Sequence, residues 1–145
     1  MKRASQCVLH TKHNNKYYCV YNSIHKKYAP IGGKGEDGEC EITCLLREMK
    51  EEVGNLHINK ILHLGAHVLT YIGPEHNFRK GSVQVDIFVV DVENITMPIE
   101  DFLVLCEIGD IPKSALNKNE CYTSLLAILQ RLENNCHWGW CYEMI

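Results

Sequence analysis

Residues 33–55 have the sequence GKGEDGECEITCLLREMKEEVGN, in which a glycine-rich segment precedes a stretch without internal Gly or Pro. The part from Glu39 to Val53 consists mostly of good helix formers, and Gly54-Asn55 is a typical helix stop. The stretch therefore predicts a helix. Its apolar residues recur at intervals of three and four, which predicts one buried stripe. These residues are Ile42, Leu45, Met49 and Val53.

Three carboxylates are crowded on this predicted helix. Glu48, Glu51 and Glu52 stand at i, i+3 and i+4, so they lie within an arc of about 100° and about one turn of rise. Their repulsion disfavours an ordinary solvated face, although Arg47 and Lys50 would relieve some of it. Hard divalent cations such as Mg²⁺ or Mn²⁺ bind carboxylate oxygens together with substrate phosphates. The cluster therefore favours a metal site that acts on a phosphorylated substrate.

The glycine-rich segment before the helix fits the same chemistry. Gly32 and Gly33 permit close approach of the backbone to a ligand, and Lys34 can bind a phosphate. The segment is not a P-loop, because no Gly-Lys-Ser/Thr sequence ends it. Such a composition is also typical of turns, so the glycines alone do not indicate a binding site. The fixed distance between this segment and the helix is the stronger indication.

Loop and helix together form one long motif. From Gly33 to Gly54 the pattern is Gly-x5-Glu-x7-Arg-Glu-Met-x-Glu-Glu-x-Gly. Seven fixed residues at this spacing arise by chance on the order of 10⁻⁹ per starting position. The pattern resembles the Nudix box, G-x5-E-x7-R-E-U-x-E-E-x-G-U with U apolar. One position departs from it: Asn55 occupies the last apolar position, with Leu56 directly after it.

Resemblance to the Nudix family implies a fold and a reaction. The fold is α/β, an α/β/α sandwich with a mixed β-sheet, and the reaction is hydrolysis of a nucleoside diphosphate linked to another group. The resemblance further implies that the side chains of Glu48, Glu51 and Glu52, with the backbone carbonyl of Gly32, bind Mg²⁺ or Mn²⁺.

The resemblance also implies roles around this metal site. Arg47 would orient the carboxylates, and Glu39 would support the loop. Water would attack a phosphorus of the pyrophosphate while a carboxylate accepts its proton. The candidates for this base are Glu48 and a later acid, Glu100 or Asp101, at a position that resembles MutT-like members. An exposed loop charge explains Glu100 equally well.

Features outside the motif bear on the substrate. The chain length, the hairpin start and Ile111-Pro112 resemble small MutT-like nucleoside triphosphate pyrophosphatases, including those that remove oxidised dGTP. In that comparison Asn119 and Glu120 lie where polar residues recognise the base, although helix capping is the simpler role for Asn119. Tyr71 resembles the tyrosine of diadenosine polyphosphate hydrolases, but tyrosine also suits a core strand. The predicted substrate-binding residues are Gly33, Lys34, Tyr71, Asn119 and Glu120.

The leading expectation is a Mg²⁺-dependent hydrolase that converts a nucleoside triphosphate, canonical or oxidised, to the monophosphate and pyrophosphate. Diadenosine polyphosphate hydrolysis and mRNA decapping are the alternatives. Decapping enzymes usually need a basic surface, and a net charge of −3 supplies little of one. An RNA partner is therefore expected only of a decapping enzyme. Non-catalytic Nudix modules, which bind nucleotides or RNA, typically lose box glutamates, and all four are present here.

Length and composition agree with one domain over residues 1–145. The values of 46% hydrophobic and 23% charged residues are ordinary for a globular chain. The sequence has no export signal and no long apolar run, so we expect an intracellular protein of the cytoplasm or nucleus without a membrane partner. Its eight cysteines are then expected to be reduced. Cys136 and Cys141 are a close pair without a matching second pair for zinc. The oligomeric state is left open, a homodimer included.

The rest of the pattern predicts strands interleaved with two helices, hence a mixed sheet covered on both faces. His63 and His67 stand four apart on a predicted strand and should share one face as ordinary strand histidines. The predicted elements are a hairpin over 5–22, strands over 57–72 and 82–92, the second buried on both faces, a strand or irregular segment over 102–108, and a helix over 120–132.

Overall fold

A computed structural model of the chain describes residues 2–13, 16–22, 25–71, 81–95, 103–107, 120–134 and 142–143. Among these residues, no helix is long and apolar enough to cross a membrane. The elements in chain order are β1 (Lys2–Thr11), β2 (Lys16–Asn22), β3 (Lys27–Ala29), β4 (Ile31–Lys34), α1 (Glu41–Val53), β5 (Ile58–Tyr71), β6 (Gly81–Val92), β7 (Leu103–Glu107), α2 (Thr123–Asn134) and β8 (Tyr142–Glu143).

Strand β1 holds the sheet together. It runs parallel to β6 along its whole length. On its other edge, β4 pairs antiparallel with its first half and β2 with its last three residues. Strands β3 and β7 pair with β2, while β5 pairs with β6 and β8 with β5. The sheet is therefore mixed, as predicted, and β4 lies beside the start of β1.

Two hydrophobic clusters cover the two faces of this sheet. Leu45 and Met49 of α1 pack with Phe88 of β6, whereas Leu125 of α2 packs with Val85. Because successive residues of a strand point to opposite faces, β6 contributes to both clusters. The α/β/α sandwich and the doubly buried strand were both correctly predicted.

The glycine-rich segment differs from its prediction as a loop. Residues Ile31–Lys34 form the short strand β4, and the connection to the helix begins after Lys34. Helix α1 starts at Glu41, two residues later than predicted, with Cys40 as its N-cap residue. A strand of this length and glycine content carries almost no β signal, since glycine is depleted in strands. Pairing with β1 forms it instead.

Helix α2 begins at Thr123, three residues later than predicted. Glu120 therefore precedes the helix and is exposed. Its backbone carbonyl accepts a hydrogen bond from the Tyr28 N–H at 2.8 Å, and the Tyr122 N–H donates to the Tyr28 carbonyl at 3.0 Å. This parallel bridge to β3 holds residues 120–122 extended. The tertiary pairing outweighs their helical preference.

A β-bulge in β5 separates the two strand histidines. The register against β6 shifts between His63 and Gly65, so that His63 pairs with Phe88 but His67 pairs with Val85. Phe88 lies in the cluster under α1, and Val85 lies in the cluster under α2. The prediction that the two histidines share a face is wrong, because one extra residue inverts the alternation.

Candidate active site

Arg47 joins the helix to the loop before it. Its Nε and Nη2 atoms donate to the two carboxylate oxygens of Glu39 at 2.8 and 2.9 Å, a bidentate pair. Nη2 also donates to the backbone carbonyl of Lys34 at 3.0 Å. The Glu36 N–H donates to Glu39 at 2.7 Å. These bonds to Arg47, with the smaller contribution of Glu36, hold the pKa of the Glu39 carboxyl at about 2.

The same guanidinium binds two of the clustered carboxylates. Its Nη1 atom donates to Glu48 at 3.1 Å and to Glu51 at 3.3 Å. Together with Glu39, these acids raise the pKa of Arg47 above its ordinary value. The guanidinium has five N–H donors, and these five hydrogen bonds direct all of them at the loop and the carboxylates. Arg47 thus contacts Glu39 and two of the clustered carboxylates, while its orienting role and the supporting role of Glu39 stay predictions.

Glu48 lies directly over Gly33. A Cβ atom on Gly33 would stand 2.7 Å from both carboxylate oxygens of Glu48. The side chain of Glu48 is only 14% exposed, and burial raises the pKa of its carboxyl, while Arg47 opposes this shift. A side chain at position 33 would therefore have to displace the Glu48 carboxylate, which is the end of a flexible side chain.

Glu52 lies one turn further along the helix, against Gly32. Its Oε2 atom accepts a hydrogen bond from the Gly32 N–H at 2.9 Å. Gly32 has a φ of 142°, and a Cβ there would overlap the carbonyl oxygen of Ser5 and lie 2.7 Å from the Cα of Gln6. The two glycines thus bring the edge of β4 against the acidic face of α1.

The donor chemistry of this cluster suits a divalent cation. Carboxylate oxygens are the hard ligands that Mg²⁺ and Mn²⁺ prefer, and a cation would offset the burial of Glu48. Within the described residues, however, no group of three or more His, Cys, Asp or Glu side chains is arranged to hold a metal. Glu48 and Glu51 bind Arg47, and Glu52 binds the Gly32 amide. Metal binding would therefore require these carboxylates to exchange partners.

A family comparison agrees with this arrangement. The model of the NUDIX domain matches residues 2–118, which includes the loop, α1 and most of the sheet. The chain belongs to the Nudix family. A search of curated proteins found no match. The sequence prediction that the chain is a member of the Nudix family is confirmed.

Solved structures share the Nudix fold at low sequence identity. The pyrophosphohydrolase BsRppH of Bacillus subtilis is 20% identical with a TM-score of 0.66, covering 95% of this chain and 85% of its own. The MutT protein of Methanosarcina mazei is 12% identical with a TM-score of 0.66, covering 94% and 95%. A dihydroneopterin triphosphate pyrophosphohydrolase of E. coli is 11% identical with a TM-score of 0.58, covering 72% and 78%.

The structure brings most of the predicted site residues of this Nudix protein together. Lys34 ends β4 with an exposed side chain beside Gly33. Glu120 lies on a different segment, before α2. Tyr71 is the last residue of β5, and its side chain is outside the described part of the chain. Glu100, Asp101 and Asn119 are outside the described residues altogether, so their roles stay predictions.

Two contacts of the site had no signal in the motif. The backbone carbonyl of Lys34 binds Arg47, and the Cys44 thiol lies 3.5 Å from the Gly33 carbonyl, toward which it donates. Backbone acceptors cannot be read from side-chain identities. The four-residue spacing of Cys44, Glu48 and Glu52 would have indicated that all three line the same face.

Replacement of Gly33 by alanine should displace the Glu48 carboxylate, because the new methyl group would occupy its position. We expect hydrolysis by the variant to fall on the order of 100-fold with little change in its melting temperature. Gly35→Ala is the matched control, since a Cβ there would lie 3.4 Å or more from its neighbours. Equal activities of the two variants would contradict the position of the Glu48 carboxylate over Gly33.

The Glu39–Arg47 pair should make stability depend on pH in acid. The pKa of Glu39 is lowered from 4.5 to about 2, so its contribution is complete above pH 4.5 and is lost as the pH falls towards 2. We expect the difference in unfolding free energy between wild type and Glu39→Gln to shrink between pH 5 and pH 3, measured by urea unfolding. Glu93→Gln, the same chemical change at an exposed position after β6, should show no such trend. A difference that stays constant over this range would exclude the proposed ion pair.

Proposed function

We propose that this Nudix protein hydrolyses nucleoside triphosphates to the monophosphate and pyrophosphate in a reaction that depends on Mg²⁺ or Mn²⁺. The observation that carries the proposal is the position of two carboxylates against β4. The Glu48 carboxylate lies directly over Gly33, and one turn away the Glu52 carboxylate accepts the Gly32 N–H. This arrangement directs two helix carboxylates at the two positions of β4 that have no side chain. A phosphate with its counterion can approach such positions closely.

In the proposed reaction Glu48, Glu51 and Glu52 would hold the divalent cation together with the carbonyl of Gly32. A cation bound there would supply positive charge for the phosphate oxygens. Lys34 binds a terminal phosphate through its exposed side chain, and Arg47 holds the carboxylates in place. Glu48 is the candidate base among the described residues, and Glu100 is the candidate outside them.

The names of similar structures support a pyrophosphate bond as the target. They include MutT proteins, the pyrophosphohydrolase BsRppH and a dihydroneopterin triphosphate pyrophosphohydrolase. Two of these names state a pyrophosphohydrolase, and one of the two names its substrate as dihydroneopterin triphosphate. We therefore propose recognition of the phosphate chain first, with the attached group decided by residues outside the motif, among them Tyr71, Asn119 and Glu120.

A substrate panel tests this function. Canonical and oxidised dNTPs, dinucleoside polyphosphates, ADP-ribose and capped RNA are incubated with the full chain and Mg²⁺ or Mn²⁺, and phosphate, pyrophosphate and nucleotide products are quantified. We expect the highest kcat/KM with a nucleoside triphosphate and pyrophosphate as the product. Preference for capped RNA or a dinucleoside polyphosphate would replace the proposed substrate, and no turnover of any compound would exclude the function.

Glu52→Gln tests the role of the carboxylates. The amide keeps the size of the side chain but removes its charge, so we expect kcat/KM to fall on the order of 100-fold. The melting temperature should change little, because an amide oxygen can still accept the Gly32 N–H. Glu93→Gln makes the same chemical change at an exposed position after β6 and should keep full activity. A fully active Glu52→Gln protein would exclude Glu52 as a metal ligand.

A further inference from the structure

The first turn of α1 has few restraints of its own. Its N-cap residue, Cys40, makes no side-chain capping hydrogen bond. A cavity of about 660 Å³ lies beside this turn, between the 34–41 segment and the starts of β1 and β6. Such an end of a helix would ordinarily fray, since its first amides lack partners. Apart from the contact of Cys40 Sγ with Thr43 Oγ1 at 3.2 Å and the link between Arg47 and Glu39, the start of α1 is held by contacts from β1.

Ser5 provides one restraint from β1. Its hydroxyl donates a hydrogen bond of 2.7 Å to the backbone carbonyl of Glu41, the first residue of α1. Ser5 is 1% exposed, so the bond is shielded from water. A buried hydrogen bond of this kind is costly to leave unmade. Ser5 also pairs with Gly33 in the sheet, and the same residue therefore contacts both the helix start and the seat of Glu48.

Arg3, two residues earlier on the same face of β1, provides a second restraint. Its Nη2 atom lies 3.6 Å from Glu41 Oε2 and 3.5 Å from Asp86 Oδ2. The side chain of Asp86 is 4% exposed, and its Oδ2 atom has no hydrogen bond among the described residues. Arg3 thus supplies the countercharge for a buried carboxylate as it contacts the helix. Its backbone carbonyl also accepts the Gly35 N–H at 2.7 Å, which fixes the loop.

We infer that Ser5 and Arg3 are positioning residues for the carboxylates of α1. Glu41 and Glu48 are seven residues apart, two turns along one face of the helix, so a shift at Glu41 moves Glu48 by a similar amount. The Glu48 carboxylate occupies the space over Gly33 that a side chain would otherwise fill, so a shift of the helix would change its position against β4. The role rests on the proposed function, in which metal binding and turnover are measured separately. Its effect on metal affinity is independent of the substrate.

Ser5→Ala removes the hydroxyl, and Thr11→Val is its matched control. Thr11 lies on the same face at the far end of β1 and is also buried, at 5% exposure. We measure Mn²⁺ affinity by calorimetry, kcat and KM for the best substrate of the panel, and melting temperature. Ser5→Ala should weaken Mn²⁺ binding and lower kcat, each roughly tenfold, with KM for the nucleotide within about twofold. Thr11→Val should change neither Mn²⁺ affinity nor kcat.

Arg3 gives a second test on a side chain that is half exposed and easier to replace. Arg3→Met should reproduce the loss of Mn²⁺ affinity, and Arg3→Lys should restore much of it. Wild-type Mn²⁺ affinity in both Ser5→Ala and Arg3→Met would overturn the inference, as would an equal loss in Thr11→Val. If wild type binds Mn²⁺ but cleaves no compound in the panel, the proposed function fails, whereas the order of the Mn²⁺ affinities still decides the positioning role.

Discussion

The arrangement of the site depends on the hydrogen bonds and ion pairs of the Arg47 guanidinium. It joins the loop to the helix by binding Glu39 and the Lys34 carbonyl, and it compensates Glu48 and Glu51 at the same time. Without this charge the carboxylates would repel one another and the loop would lose its main link to α1. This link also explains why Glu39 and Arg47 stand a fixed number of residues apart in the motif. Glu39 lies just before the N-cap residue, and its carboxylate must reach a side chain in the second turn of the helix.

A second constraint comes from the two glycines at the centre of β4. Gly33 leaves room for a carboxylate, and Gly32 offers its N–H to another at a backbone conformation that suits glycine. Both glycines are held by antiparallel pairing with Gln6 and Ser5 of β1. The acidic face of α1 and the glycines of β4 therefore form one unit, and β1 fixes their separation.

The sequence predicted the strongly patterned parts of this molecule well. The stripe on α1 and the continuous apolar run in β6 have clear physical signatures, and both elements formed as expected. The short strand β4 was missed because it forms by pairing and not by preference. The bulge near His63 and the late start of α2 were missed for the same reason. At the site, spacing predicted which carboxylates lie together, but their partners include the backbone groups of Gly32 and Lys34, which no side-chain pattern encodes.

The parallel pairing of β1 with β6 has a consequence for how the chain folds. Ser5 lies beside Asp86, roughly 80 positions later in the sequence, whereas the motif is complete at Asn55. Closing a loop of this length is entropically costly and slows folding in sheets with distant partners. During synthesis, the whole set of motif residues therefore leaves the ribosome before the strand that completes their support. The nascent chain therefore contains all the motif residues before it can form the parallel pair of β1 and β6 that supports them.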